Sequence, residues 1–236
     1  MLIDLYCERT AAGFWNEPLN ALSNAGFVLA AIIGWHVRRR RGGGDCWEIL
    51  LIVLAGLIGA GSFLFHTFAN SWSELADVIP IWSFVAGYVL LTIYRNTGHD
   101  RVKTATIALG AATLIVGMSI FTGNDTVTSN PQAPRPLNGS LQYAPALSAL
   151  LVFTLLAWRR KHPARAHLSA ATVIFTLALL FRTIDLASCE ATQGIGTHFL
   201  WHLLNALLVG VLLLAVIRHM PPPVRSDLSG VLHDIH

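Results

Sequence analysis

The sequence predicts an all-α fold, a polytopic membrane protein built as a seven-transmembrane-helix bundle, and three observations lead to it. Only 12% of the 236 residues are charged, whereas soluble domains usually carry about 25%. Apolar segments with the roughly 20 residues that cross a bilayer recur along the chain. Lys and Arg gather in every second connection between these segments. Lipid, rather than water, is therefore expected to solvate much of the surface.

Seven segments are long and apolar enough to be spanning helices. In chain order they cover residues 17–37, 46–68, 73–95, 102–122, 140–158, 168–187 and 197–217. The second segment includes Gly59, Gly61 and the polar Ser62, and such interruptions are tolerated where neighbouring helices cover them. We expect residues 1–220 to form one seven-helix domain and residues 221–236 to form a cytoplasmic tail.

The basic residues sort by side of the membrane. Thirteen of the sixteen Lys and Arg lie in the loops after the first, third and fifth segments or in the tail: Arg38, Arg39, Arg40, Arg41, Arg95, Arg101, Lys103, Arg159, Arg160, Lys161, Arg165, Arg218 and Arg225. The positive-inside rule then predicts an external N-terminus and a cytoplasmic C-terminus. Because the basic residues sort by loop and form no single face, a nucleic-acid partner is not expected, and no obligate protein partner is evident. The polar, proline-rich loop at 123–139 is expected to cover an external site.

Polar residues that could bind a metal or take part in catalysis lie at one depth of this predicted bundle. Ser62 and His66 lie near the outer end of the second segment, four residues apart and therefore on one helix face. Asp77 lies near the outer start of the third segment, and His198 and His202 lie at the outer start of the seventh. Polar and ionisable groups inside a membrane are costly and usually functional. The sequence therefore predicts a site toward the extracytoplasmic side.

Three neutral imidazoles that leave one position open are the typical ligand set of a catalytic zinc ion. His66, His198 and His202 are therefore predicted to bind zinc. Asp77 is expected to handle the proton of the attacking water, and Ser62 to hydrogen-bond the developing oxyanion or a metal ligand. A histidine in a membrane helix is also a common hydrogen-bond partner between helices, so that alternative stays open.

The order of these residues resembles the alkaline ceramidase family, part of the CREST superfamily of seven-helix membrane hydrolases. The pattern is S-x-x-x-H at residues 62–66, an Asp eleven residues after that His, and H-x-x-x-H at residues 198–202 in the last helix. YCER at residues 6–9 and GFWNEPLNALSN at residues 13–24 match the family as well. The resemblance covers nearly the whole chain.

This resemblance implies hydrolysis of the ceramide amide to a sphingoid base and a fatty acid, with a membrane lipid as the substrate. It implies that His66, His198 and His202 are the zinc ligands. It also implies that Asp77 binds the water and acts as the base, and that Ser62 is its companion near the metal.

The cysteines sort by side as the basic residues do. Cys7 and Cys189 are predicted on the oxidising outer side, where they either pair or remain two buried thiols, and Cys46 is predicted inside and reduced. The resemblance implies that Cys7 and Cys189 form the external disulfide of the family. It also matches Asp185, four residues before Cys189, to the family's D-x-x-x-C.

A calcium site is a further implication, and here the sequence departs from the family. Family members bind calcium through acids of the N-terminal segment, and Glu8 is retained in that segment. Gly13 stands where animal enzymes carry an acid, so Asp4 and Glu17 are the nearby substitutes. Calcium needs several oxygen ligands.

Two other functions compete with a ceramidase. One is a hydrolase of another lipid class, since a zinc site attacks esters and amides alike. The other is a receptor-like or transport protein with a structural metal or a proton relay. Transport predicts ionisable residues through the whole membrane depth, whereas here we expect them at the outer end, apart from Arg182 and Asp185.

Overall fold

The computed structural model describes residues 2–121 and 136–222, and every regular element in these ranges is helical. Most of the predicted cover loop at 123–139, and the tail beyond residue 222, lie outside the described residues. The α-helices are α1 (Pro18–Ser23), α2 (Ala25–Arg40), α3 (Cys46–Phe68), α4 (Ser71–Asn96), α5 (Arg101–Phe121), α6 (Ala144–Arg159), α7 (Arg165–Ile184) and α8 (His198–His219). Short 3-10 segments at Pro136–Tyr143 and Leu186–Ser188 precede α6 and follow α7.

Six spans among the described residues are long and apolar enough to cross a membrane. They are Pro18–Arg40, Cys46–Phe68, Ser71–Asn96, Leu137–Arg159, Arg165–Ile184 and His198–His219. The helix α5, of 21 residues, lies between the third and fourth of these spans. These helices indicate a multi-pass membrane protein, as predicted, while the count of seven spans and the orientation of the termini stay predictions. The boundaries differ by a few residues, chiefly because the first span is divided at Asn24 into α1 and α2.

The connection between α3 and α4 is short and sharply defined, which matters because both helices contribute to the site. Ala69 ends α3 in the left-handed conformation, a common way to terminate a helix. Asn70 then begins α4 with a capping box, in which Asn70 and Ser73 satisfy each other's backbone N–H groups. The end of α3 and the start of α4 are therefore held side by side.

The core of the bundle surrounds α8, which packs against α1, α2, α3 and α7. Its buried face includes Leu212, Leu213 and Val216. The outer faces of the helices instead expose large apolar side chains, among them Ile32, Val53, Ile79, Leu155 and Leu180. An apolar exterior around an apolar core is what a lipid environment requires.

A network of ion pairs closes the end of the bundle opposite the histidines. Glu48 in α3 is buried and forms ion pairs with Arg38, Arg41 and Arg95. Arg95 also pairs with Asp45 at 2.9 Å. Three of the arginines predicted to lie in cytoplasmic loops therefore join α2, α3 and α4 through one carboxylate.

Candidate active site and metal centre

The three predicted histidines meet in the structure. His66 lies near the end of α3, His198 is the first residue of α8, and His202 lies one turn later. All three are at least 97% buried, and one ligand atom from each lies within 4.8 Å of the others. Among groups of three or more His, Cys, Asp or Glu side chains in the described part of the chain, this is the one whose ligand atoms lie that close together. A group of three histidines able to hold a metal is therefore present.

Hydrogen bonds assign the proton of His66. Its Nδ1 lies 2.5 Å from Oε2 of Glu17, and Glu17 also forms an ion pair with the guanidinium of Arg9. An ionised carboxylate only accepts hydrogen bonds, so Nδ1 of His66 donates, and in the neutral imidazole Nε2 then carries the lone pair. Arg9 donates to the carbonyl oxygen of His66 as well, at 2.9 Å, so both ends of this residue are held by the N-terminal segment.

A second set of hydrogen bonds indicates which ring nitrogen of His202 carries the proton. The hydroxyl of Ser23 donates to the carbonyl oxygen of Asn20 at 2.9 Å, which uses its one proton. Nδ1 of His202 lies 2.9 Å from the same hydroxyl and 3.5 Å from Nδ2 of Asn24. A protonated Nδ1 is the state in which the hydroxyl bonds both to this ring and to Asn20. Nε2 of His202 therefore also carries a lone pair, and it lies 3.2 Å from Nε2 of His66.

This arrangement fits a zinc ion. Two unprotonated nitrogens that face each other repel unless a cation lies between them, and zinc with nitrogen ligands at about 2.0–2.1 Å in a tetrahedron holds them about 3.3 Å apart. The third imidazole, His198, has a buried Nδ1 with no hydrogen-bond partner among the described residues. The donor chemistry therefore suits a metal that prefers imidazole, although the identity of the metal stays a prediction.

The position of His198 depends on the start of α8. Asp185 is fully buried, and its Oδ1 accepts hydrogen bonds from the backbone N–H groups of Thr197 at 2.7 Å and His198 at 2.9 Å. This carboxylate caps the helix that carries two of the three histidines. The ring of Tyr6 stacks on His198, with centroids 3.6 Å apart. The N-terminal segment and the end of α7 thus position one of the three histidines together.

The predicted disulfide between Cys7 and Cys189 is present in the structure, with Cα atoms 5.5 Å apart. The backbone N–H of Cys7 donates to Oδ2 of Asp185 at 3.0 Å. Gly196, at φ +71°, passes so close that a Cβ there would collide with Asp185 and Cys7. These contacts bind the N-terminal segment to the same end of the bundle as the histidines.

Asp77 and Ser62 also reach the site. Both line the cavity that contains His198 and His202, and Oδ1 of Asp77 is buried without a hydrogen-bond partner among the described residues. The helices α3 and α4 approach closely here because residue 61 is a glycine. A Cβ on Gly61 would collide with the carbonyl oxygen of Ala76. The close crossing explains how residues of two helices share one small volume.

Two of the acids proposed for calcium, Glu8 and Glu17, have other partners. The carboxylate of Glu8 accepts hydrogen bonds from the backbone N–H groups of Leu19 and Asn20, at 2.7 and 2.8 Å. Burial raises the pKa of Glu8, and those two hydrogen bonds oppose the rise. Glu17 is directed to Arg9 and His66, as described above. The carboxylates of Asp4, Glu8 and Glu17 do not converge as a metal cluster among the described residues, so calcium stays a prediction of the resemblance alone.

The cavity beside the histidines is polar at one end and apolar along its length. Tyr6, Ser62, Asp77, His198, His202 and Arg182 form the polar end. Its apolar walls come from α2, α3, α4, α6 and α8, and include Phe27, Ile58, Val85, Phe153, Leu208 and Leu212. A cavity of this kind accommodates a ligand with a polar group and a hydrocarbon chain.

Sequence reasoning missed several residues of this site. The contacts of Tyr6 and Arg9 depend on how the N-terminal segment folds over the helices, and that segment has no periodic pattern to reveal it. Arg182 was recognisable as a charge inside a spanning segment, which is a signal of function, but its partners were not.

The comparison with protein families agrees with this geometry. The family model for ceramidase matches residues 5–221, which include every site residue described above except Asp4. No curated protein matches the chain. The match extends over nearly the whole chain and includes the N-terminal segment that packs on the histidines. The chain therefore belongs to the ceramidase family.

Proposed function

We propose that this protein is a zinc-dependent intramembrane amidase, a ceramidase that hydrolyses ceramide to a sphingoid base and a fatty acid. The observation that supports it most is the meeting of three buried imidazoles with Asp77 and Ser62 at the polar end of an apolar cavity. Membership of the ceramidase family implies a hydrolase that acts on amides. The zinc ion and the ceramide substrate go beyond what family membership implies.

His66, His198 and His202 would hold the zinc ion. When bound, zinc polarises a carbonyl group and lowers the pKa of water toward about 7, which makes a nucleophile available near neutral pH. Glu17 and Ser23 hold the Nδ1–H groups of His66 and His202, so that each ring presents Nε2 to the site. Such outer hydrogen bonds fix the ring orientation and increase ligand basicity.

Asp77 and Ser62 would carry out the proton transfers and stabilise charge. The carboxylate of Asp77 accepts a proton from the attacking water and returns a proton to the departing amine, so that an amide and water become an acid and an amine. The hydroxyl of Ser62 donates a hydrogen bond to the oxygen that becomes negative as the carbonyl is attacked. Both residues line the cavity beside His198 and His202.

The shape of the cavity supports this substrate class. Ceramide has an amide between two hydrocarbon chains, and the apolar walls of α3, α4, α6 and α8 would hold one of these chains. The polar end then receives the amide. Because an amphiphilic lipid keeps its polar group near the interface, a site a few turns inside the bundle meets the amide without drawing it to the bilayer midplane.

A lipid panel tests the proposal with the purified full chain. Ceramides of several acyl lengths, a phospholipid and an ester lipid are each incubated with the protein, and released sphingoid bases and fatty acids are quantified by mass spectrometry. We expect ceramide to yield both products in equal amounts. Chelation should abolish the release and added zinc should restore it.

Two outcomes would support the competing functions instead. Cleavage of the phospholipid or the ester lipid, with ceramide left intact, would place the protein among hydrolases of another lipid class. One equivalent of tightly bound zinc without cleavage of any lipid would favour a structural metal in a receptor-like protein.

A further inference from the structure

Arg182 is a buried cation that forms no ion pair with an acid among the described residues. It lies near the end of α7 and is only 5% exposed. Its guanidinium donates one hydrogen bond among the described residues, from Nη1 to the hydroxyl of Tyr6 at 3.2 Å, and its Nε is buried without a partner. A guanidinium has five N–H donors, so most of its capacity is unused.

Three aromatic rings surround this guanidinium. Its Cζ lies 5.6 Å from the ring centroid of Tyr6, 5.4 Å from that of Tyr143 and 5.3 Å from that of Trp201. Cation–π attraction to ring faces offsets part of the cost of burying the charge. Ring faces provide no oxygen atoms in the plane of the guanidinium, however. The three rings therefore fix the position of the guanidinium and leave most of its in-plane N–H donors available.

The guanidinium lines the same cavity as the histidines. Arg182, Asp77, His198 and His202 all line its polar end, and the ion pairs between described residues do not join Asp77 to Arg182. The rest of the cavity is walled mostly by apolar side chains, with Asn205, Tyr88 and Tyr143 as the polar exceptions. A ligand that satisfies both parts has a planar anionic group with two oxygens and a long hydrocarbon chain. A carboxylate fits the guanidinium fork with two parallel hydrogen bonds.

We propose that Arg182 is the carboxylate-binding residue of a fatty-acid subsite in this cavity. The inference rests on the proposed function insofar as a fatty acid is the product of ceramide hydrolysis. The intact amide is neutral and offers one carbonyl oxygen, whereas the product offers a charged pair of oxygens. Arg182 therefore favours the product over the substrate, and a long-chain fatty acid is a competitive inhibitor of the enzyme.

Binding of matched lipids to the zinc-loaded full chain tests this inference. The dissociation constants of a long-chain fatty acid and of the fatty alcohol with the same chain are measured for the wild-type protein and for Arg182→Gln, at a pH where the acid is ionised. We expect the variant to lose affinity for the acid at least tenfold, and to bind the alcohol as the wild type does. An unchanged ratio of acid to alcohol affinity in a folded Arg182→Gln variant overturns the inference.

A measurement on the wild type covers the case in which the variant does not fold. With a carboxyl-¹³C fatty acid and ¹⁵N-labelled arginine, solid-state NMR detects whether the bound carboxylate lies beside a guanidinium. Contact between the two supports the inference, and a bound carboxylate with no guanidinium contact overturns it. A protein that binds fatty acid through Arg182 but never cleaves ceramide would refute the proposed function alone. A working ceramidase with an unchanged affinity ratio would refute the subsite alone.

Discussion

The carboxylate of Glu17 lies 2.5 Å from Nδ1 of His66, and this contact orients the imidazole toward the other two histidines. It comes from a residue immediately before α1, in the N-terminal segment, and reaches the far end of α3. Arg9 holds the same carboxylate from its other side. The N-terminal segment is therefore part of the histidine site and not merely a cover over it.

Replacing Glu17 by Gln should weaken zinc binding by about 10- to 100-fold, the usual cost of losing a hydrogen-bond partner of a metal-binding histidine. Competition with a chromophoric chelator measures the affinity. Glu17→Asp, which keeps a carboxylate, should restore part of it. Glu190→Gln, an exposed acid in the loop before α8, is the matched control. Equal zinc affinity in wild type and Glu17→Gln would remove Glu17 from the metal centre.

His202→Ala should lose both metal and activity, because two imidazoles leave zinc under-coordinated. The wild type should contain close to one zinc per chain by elemental analysis, and the variant close to none. His36→Ala, which removes an exposed histidine of α2, should leave both quantities unchanged. Active wild-type protein without any metal would contradict the prediction.

Asp77→Asn should retain zinc and lose turnover by about 10²-fold or more, since general acid–base catalysis contributes about 10²–10⁴-fold. The amide has nearly the shape of the carboxylate but cannot accept the proton. Turnover of ceramide and zinc content are measured on the same preparation. Glu74→Gln, one turn earlier in α4, is the control for charge near this end of the helix. Full activity in Asp77→Asn would exclude a proton-transfer role.

The histidine cluster could be predicted from the sequence because it depends on regular features. Hydrophobic segments and the sorting of basic residues placed the end of α3 and the start of α8 at one depth, and the i, i+4 spacing placed His198 and His202 on one face. The contacts of Glu17, Tyr6 and Arg182 could not be predicted in this way. They arise where an aperiodic segment packs over the helices, and no local pattern specifies which side chains meet there.

Glu48→Gln should destabilise the bundle by about 3–5 kcal/mol, as loss of one member of a buried ion pair usually does. Its removal leaves the guanidinium groups of Arg38, Arg41 and Arg95 with Asp45 as the remaining acid of the network. The thermal unfolding midpoint in detergent is the measurement. Asp100→Asn removes an acid whose partner Lys103 is exposed, and should change the midpoint little. Equal midpoints for Glu48→Gln and the wild type would show that the network contributes no stability.

We further expect the active site to open toward the extracytoplasmic side. Thirteen of the sixteen Lys and Arg lie in the tail or in the loops after the first, third and fifth predicted segments, which the positive-inside rule places in the cytoplasm. The end of α3 and the starts of α4 and α8 then lie outside, and these ends carry His66, Asp77 and His198. The Cys7–Cys189 disulfide at the same end suits an oxidising compartment.

A membrane-impermeant chelator, applied to sealed vesicles of known orientation, tests this topology. Zinc and the water needed for hydrolysis reach the histidines from one face, so the chelator should abolish ceramide turnover when it is added on the side of the N-terminus. Addition on the side of the C-terminal tail should leave turnover unchanged, and opening the vesicles with detergent should then allow inhibition. The histidines and the ion-pair network around Glu48 lie at opposite ends of the bundle. Only one side of the membrane can therefore give the chelator access to the histidines. Inhibition only from the cytoplasmic face would reverse the orientation derived from the basic residues.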